Sequence, residues 1–420
     1  MMTRLSQIIA QNKPLIAGYA SAISGSLGRL VFSLAYFILL ANSLSIADFG
    51  LFASASATGV MLSRLLGFGF VSPLYRIATV KPQLLGAYTS GMLAAGMLSL
   101  PLIGAAGLAT YLLLFAGLMP AKAFWLVLAA EALLWRPTEI IVIVNNGLGR
   151  FGRGAVLVII GTALRAVAAL MLALAAKPDL GTWALLYMAA NAISLALAAG
   201  LYYPRVRLRF RPELYWRRTR DSVMVAASEF IFYVQNEMDK LLVLALSGPA
   251  MAGTYAIIMR LVDLTAIPVR TFSMMLVQKM MRSPDVLGGF RRRFGVEAAI
   301  FLVSTLGMAA LAGILWFFPS ALGQNVAPAA ALAGLALLVP GFRNLIEYQA
   351  ELLYGRGQTG LRALSLAAAA LAKGILLGAL LAAAPEEWRV IAGLNGVFAA
   401  LYLMSAMITY PALSRKSRAV

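Results

Sequence analysis

Apolar residues run along this chain in blocks long enough to cross a bilayer, roughly twenty residues each, separated by short groups of charged, Gly and Pro residues. The blocks predict helical spans at 15–42, 49–72, 84–117, 121–145, 154–176, 180–203, 222–247, 252–277, 295–318, 329–354, 363–384 and 390–411. The third is long and carries Pro101, which marks where it would kink, break or divide into two short segments. At the start, MMTRLSQIIAQNKPLIAG places Arg4 and Lys13 ahead of an apolar run from Leu15 to Ala41. That run exceeds the 7–15 residues of a cleaved signal core, so it reads as an anchor retained as the first span.

Composition turns the pattern into a fold class. The chain is 61% hydrophobic and 12% charged, against about 45–50% and about 25% in soluble domains. Water could not solvate the surface left over, so the expectation is an all-α, polytopic membrane protein with about twelve transmembrane helices. The net charge of +19 is explained by topology. With the N-terminus cytoplasmic, the inner segments hold Arg4 and Lys13; Arg76 and Lys81; Arg150 and Arg153; the arginines of 205–220; Lys279, Arg282 and Arg291 to Arg293; Arg356 and Arg362; and Arg415, Lys416 and Arg418. The outer loops hold only Lys122, Lys177 and Arg389. Such asymmetry puts both termini in the cytoplasm. A nucleic-acid binder would be polar between its basic patches, and this chain is not, so no nucleic-acid partner is expected. The stretch RVRLRFRPELYWRRTRD (205–221) is the strongest cytoplasmic signal. It reads either as a plain positive-inside loop or as a linker lying on anionic headgroups through Phe210, Leu214, Tyr215 and Trp216.

A repeat spans that linker. Gly50-Leu51-Phe52-Ala53 falls on Gly253-Thr254-Tyr255-Ala256, and Gly149-Arg150 recurs at nearly the same offset as Gly355-Arg356. The matches imply a parallel duplication: a six-helix lobe at 1–204, the basic linker at 205–221, and a second, pseudo-equivalent six-helix lobe at 222–420, with a cleft expected between like-oriented lobes.

The segment SEFIFYVQNEMDKLLVLAL (228–246) carries Glu229, Glu237, Asp239 and Lys240 inside an apolar span. At roughly 2.5–3.5 kcal/mol per mid-helix charge, facing lipid would cost on the order of 10 kcal/mol. Those groups must face partner charges or water. Glu229, Asn236 and Lys240 fall in one stripe at 100° per residue. Arg343, Glu347 and Glu351 follow i, i+4, i+8 on the tenth span, and Glu131, Trp135 and Glu139 repeat that spacing on the fourth. Arg29, Arg64, Arg136, Arg165, Arg260, Asp263, Arg270 and Lys373 complete the set at span depth. Structural ion pairs account for any one couple; a hydrated interior accounts for the whole set more economically.

Other chemistry is poorly supported. GFGF (67–70) and GRFGRG (149–154) lack the strand-then-helix context of a phosphate loop and read as turns and close packing. The chain has no Cys and no His, which excludes disulfides and thiolate metal sites and leaves carboxylates to carry any proton. No cofactor is expected beyond an H⁺ or Na⁺ if export is ion-coupled. Outer loops such as KPDLG and PEEWR are too short to hold the catalytic residues of a membrane glycosyltransferase, polymerase or ligase, so the chain reads as no enzyme.

At ADFGLFASA and at NEMDKLLVLALSGPAMAGTYAIIMRLVD (236–263) the chain resembles the polysaccharide transporter branch of the multidrug/oligosaccharidyl-lipid/polysaccharide (MOP) exporter superfamily, which includes Wzx-type flippases. The residues carrying the likeness are Asp239, Lys240, Gly248, Gly253, Tyr255 and Arg260. The resemblance implies a MATE-like two-lobe transporter in a bacterial inner membrane. It implies movement of an undecaprenyl-pyrophosphate-linked oligosaccharide between leaflets by alternating access, with membrane lipids and other polysaccharide-assembly proteins as candidate partners. It makes Arg29, Arg64, Lys240, Arg260, Arg270 and Arg343 the cavity cations for pyrophosphate and sugar. It makes Glu229, Glu237, Asp239, Glu347 and Glu351 the cavity or ion-coupling carboxylates. A cation-coupled multidrug antiporter of the same fold is the alternative.

Overall fold

The structure, a computed structural model, describes residues 13–282, 290–384 and 386–414. Side chains are described from residue 28 onward, apart from a group between 267 and 290 and Ser414. Helix is the regular structure throughout, and among the described residues there is no strand. The fold is all-α, as the apolar blocks require, because only internally hydrogen-bonded helices or closed barrels satisfy the backbone in hydrocarbon. Among the described residues, eight helices are long and apolar enough by themselves to cross a membrane, and a shorter apolar stretch of helix, Gly28–Ser43, accompanies them.

The chain forms two compact units. One comprises the chain up to Leu44 together with Thr58–Phe230; the other comprises Ser45–Ala57 and the chain from Ile231 onward.

In the first unit, α1 (Lys13–Ser43) packs along α6 (Phe151–Ala173), and α6 packs against α7 (Leu180–Leu197). The second predicted span is shorter than the apolar pattern suggests. Helix α2 (Ile46–Ser63) stops at Ser63, and α3 (Val71–Val80) begins separately. Between them Gly67, Phe68 and Gly69 have φ of 67°, 47° and 75°, a left-handed run no helix can cross. Gly67 N–H donates to Ser99 Oγ at 3.0 Å. A Cβ at Gly69 would sit 2.1 Å from the Ser222 carbonyl oxygen. The GFGF stretch is therefore a tight, closely packed turn.

The third span does not divide. Helix α4 (Leu85–Thr110) runs through Pro101 and ends in a π turn, Tyr111–Phe115. The proline forfeits one backbone hydrogen bond, a loss that flanking helix and neighbours absorb in membrane helices. Helix α5 (121–147) is continuous but carries a π turn at Ala130–Trp135 immediately before Pro137. Proline cannot donate to the preceding turn, and widening that turn by a residue relieves its clash.

The basic linker is tied down. After extended residues comes a one-turn helix, α8 (Pro212–Trp216). Tyr215 stands edge-on to Phe70 at 5.7 Å, donates to the Ala87 carbonyl at 2.8 Å and accepts from Arg211 N–H at 2.9 Å. Leu208, Phe210 and Trp216 are left exposed beside the arginines, the amphipathic surface an anionic leaflet attracts. Tyr215→Phe keeps the ring and removes both bonds. We expect a loss of about 1 kcal/mol and faster tryptic cleavage at Arg205 to Arg211, with an unchanged cleavage rate counting against the anchor.

Helix α9 (219–247), whose residues from Ile231 onward belong to the second unit, and α10 (249–282) are separated at Gly248, whose φ of 81° and ψ of 177° only glycine adopts readily. Helices α11 (Phe290–Phe317), α12 (Val339–Gly355), α13 (Thr359–Ala383) and α14 (Glu387–Ser414) follow. The tenth predicted span is broken: Ala327–Ala331 and a 3₁₀ turn at Ala333–Ala336 precede α12. Helix α12 packs against α11, α13 and α14.

The Gly149 and Gly355 matches meet in a shared helix ending. Helix α5 ends at Gly147 and α12 at Gly355, and the glycines two residues on, Gly149 and Gly357, both have φ of 72°. Gly149 N–H donates to Asn146 and Arg150 N–H to Asn145; Gly357 N–H donates to Tyr354 and Gln358 N–H to Leu353, all at 2.8–3.0 Å. In conformation, the partner of Gly149 is Gly357 rather than Gly355.

Candidate functional site

The π turn in α5 decides which way its charges point. An extra residue in one turn rotates the remainder of the helix by about 100°. Glu131 and Glu139 therefore leave the single stripe that their spacing predicts. Glu139 meets two guanidinium groups: Arg64 Nη1 lies 2.8 Å and Arg136 Nη1 2.7 Å from the same oxygen, Oε2. Arg136 Nη2 then reaches Glu229 Oε2 at 2.7 Å. The result is an alternating row, Arg64, Glu139, Arg136 and Glu229. Its guanidinium side chains are 6% and 2% exposed, against 30% and 38% for the carboxylates. The cations form the floor and the anions reach outward.

Glu131 turns inward instead. It is buried and accepts a hydrogen bond from Tyr187 Oη. Arg165 stacks on Trp135 at 4.0 Å and holds Asn191 Oδ1 through Nε at 3.1 Å and Nη2 at 2.7 Å. Gly161, one turn before Arg165 on α6, makes the room: a Cβ there would lie 2.6 Å from the Trp135 ring. These groups are satisfied within the helix packing, and their chemistry is structural.

In the second unit, the charges that α9 carries beyond Glu229 do not share one environment. Asp239, 1% exposed, takes Lys373 Nζ at 2.5 Å and Tyr255 Oη at 2.8 Å. Lys373 also donates to the Gln235 carbonyl at 2.8 Å. Glu237 pairs with Lys240 one turn away, and both are partly exposed. Asp263 takes Arg343 at 3.0 Å, and Glu351 takes Arg362 at 2.9 Å. The Arg343–Glu347–Glu351 stripe thus breaks up: its ends pair with α10 and with α13. Arg29 is exposed on α1, Arg260 and Glu347 are half-buried, and all three have interactions of their own. The side chain of Arg270 lies outside the described residues.

Several residues stand out that the sequence did not single out for function. Arg136, the hinge of the four-membered row, adjoins a proline in a strongly apolar block, the setting in which a charge is most costly. Lys373 is the sole charge in an alanine- and leucine-rich stretch of helix, and so needed a buried anion. Glu297 falls at the start of the ninth predicted span, 295–318, but is not among the charges counted at span depth. It is buried on α11 among Gln349, Tyr402 and Tyr410. The spacing of Tyr402 and Tyr410, on one helix face, was the available signal.

No family model and no curated protein matches the chain. Solved structures do. An inward-facing multidrug resistance MATE family transporter of the MOP superfamily aligns over 93% of this chain and 96% of its own at 13% identity, with a TM-score of 0.62. A MOP superfamily transporter from Pyrococcus furiosus, described as having a binding pocket of reverse polarity, aligns over 93% and 94% at 12% identity and a TM-score of 0.57. The lipid II flippase MurJ, in an inward closed conformation, aligns over 92% and 87% at 11% identity and a TM-score of 0.53. The chain shares their fold. At such identities the likeness carries no residue roles, so chemistry must come from the side chains.

Chemically, the row in the first unit offers two forks of N–H donors already convergent on one anionic oxygen. Guanidinium forks match carboxylate and phosphate alike. An incoming phosphate could replace Glu139, and protonation of Glu139 would weaken its hold on both arginines.

Proposed function

We propose that this protein is a transporter of the bacterial inner membrane that carries an undecaprenyl-pyrophosphate-linked oligosaccharide between leaflets by alternating access. The observation that supports this reading is the convergence of Arg64 and Arg136 on Glu139 Oε2. A diphosphate has more oxygens than a carboxylate and a larger charge, so it competes well for two forks. The barrier the protein must lower belongs to the polar headgroup, which hydrocarbon excludes, while the lipid tail stays in the bilayer. Glu139 and Glu229 then act as resident anions, holding the arginines when substrate is absent and yielding them when protonated or displaced. Arg29, Lys240, Arg260, Arg270 and Arg343 remain further candidate cations, and Glu237, Asp239, Glu347 and Glu351 further candidate carboxylates.

One observation favours a second reading, a cation-coupled multidrug antiporter: the carboxylate ends of the row are more exposed than the guanidinium ends. The two readings separate in a deletion strain. The flippase reading expects lipid-linked glycan stranded on the cytoplasmic leaflet. It further expects Arg64→Ala and Arg64→Lys to lower restoration of glycan export about 10- to 100-fold at equal protein level, as loss of a charge-assisted bond implies. Normal glycan export in the deletion strain rules it out. Dye export that tolerates Arg64→Ala but fails in Glu229→Gln would establish the antiporter.

A further inference from the structure

A buried carboxylate normally stands beside a buried cation, because an uncompensated charge in low dielectric is expensive. Glu297 breaks that rule. It is 8% exposed, and among the described residues no Lys or Arg lies within ion-pair distance of it. Its neighbours are neutral. Gln349 Nε2 donates to Oε1 at 3.1 Å, Tyr402 Oη donates to Oε2 at 2.9 Å, and Tyr410 Oη donates to Oε1. The rings of Tyr348, Tyr402 and Tyr410 share one apolar cluster with Val269, Ile300 and Leu345.

Two further oxygens point to what offsets the charge. Gln349 Oε1 and Tyr348 Oη are buried without a hydrogen-bond partner, in side chains 0% and 1% exposed. Buried polar atoms seldom go unsatisfied. The Gln349 amide is already anchored on Glu297 through its nitrogen, which holds its oxygen at the same place. Tyr348 lies within electrostatic reach of Glu297 and of Tyr410. The charged group nearest in sequence is Arg293, one turn earlier on α11, half-buried and also within reach of Tyr348.

We propose that Glu297, Tyr348, Gln349, Tyr402 and Tyr410 form a binding site for a single monovalent metal cation of the Na⁺ class. The donors are all oxygens, which suit hard cations over transition metals. One carboxylate matches one positive charge, whereas a Ca²⁺ site draws on several carboxylates and Mg²⁺ keeps several waters. A proton would use a single oxygen and leave the others unsatisfied. Helices α11, α12 and α14 contribute together, so an ion here clamps three helices of the second unit. Glu297 lies about 10 Å along α11 from Phe290, at 1.5 Å per residue, near the end that the basic loop assigns to the cytoplasm. The site is separate from the carboxylates of the transport reading and holds whichever substrate the protein carries.

The test uses full-length protein in nanodiscs, with thermal unfolding followed in NaCl, KCl and choline chloride at matched ionic strength and across pH. The expected result is a saturable rise in midpoint with Na⁺ that choline does not reproduce. Glu297→Gln should abolish it, and Tyr402→Phe should weaken the apparent Na⁺ affinity about 10-fold. If Glu297→Gln does not fold, Tyr402→Phe and Gln349→Ala decide. Equal midpoints in Na⁺ and choline, a Na⁺ increment of unchanged affinity in these variants, or a midpoint that follows pH alone would overturn the site. Because the readout is binding, its failure leaves the transport reading untouched, and the reverse also holds.

Discussion

Lys373→Ala is expected to destabilise the second unit by about 3–5 kcal/mol, the range for removing one partner of a buried ion pair. The lysine is 3% exposed and its ammonium touches Asp239 at 2.5 Å. Without it, Asp239 keeps its charge in the interior with only neutral donors, Tyr255 Oη and the Lys240 backbone N–H. Asp239→Ala should cost a comparable amount, because the ammonium would then rest on the Gln235 carbonyl and, at 5.7 Å, the face of Phe398. The Asp239→Asn, Lys373→Met double variant removes both charges while keeping most of the volume. Two buried charges contribute little net stability once their desolvation is counted, so the double variant should recover most of the loss. Denaturant or thermal unfolding in detergent checks this. A single variant within about 1 kcal/mol of the parent, or a double variant worse than either single, would remove the pair from its structural role.

That prediction marks how far the sequence could be read. The apolar blocks located the helices because the cost of placing charge or unpaired backbone in hydrocarbon leaves little freedom. Where it erred, local backbone chemistry was responsible. Phe68 and its flanking glycines end a helix inside an apolar block, and Pro137 widens a turn that a simple period treats as uniform. The charges themselves were legible as buried, but their pairing was not. Arg64 finds Glu139, and Lys373 finds Asp239, across long separations in the chain, and helical spacing speaks only to neighbours three or four residues apart. Glu297 was missed for a related reason. It sits at the very start of its predicted span, close to three arginines, and only the packing of α12 and α14 against α11 shows it enclosed.

Substituting Gly50 or Gly253 by alanine is expected to destabilise the second unit by about 3 kcal/mol, the upper part of the usual range for overpacking, with valine worse. A Cβ at Gly50 would lie 2.2 Å from the Pro249 carbonyl oxygen and 2.5 Å from Gly253 N; one at Gly253 would lie 2.0 Å from the Ile46 carbonyl oxygen. These obstacles are backbone atoms, so no rotamer change relieves them. The α2 and α10 backbones would have to move apart to admit either methyl group. Gly104 and Gly200 supply the control, since a Cβ at either meets nothing within 4 Å. Gly104→Ala should be neutral, or slightly stabilising through helix propensity. Midpoints measured side by side decide the matter: Gly50→Ala equal to Gly104→Ala would mean that the crossing is loose. The same geometry puts both glycines of that sequence match at one crossing. The GLFA and GTYA motifs carry their glycines at matching positions, and those glycines face one another, each admitting the backbone of the helix that bears the other.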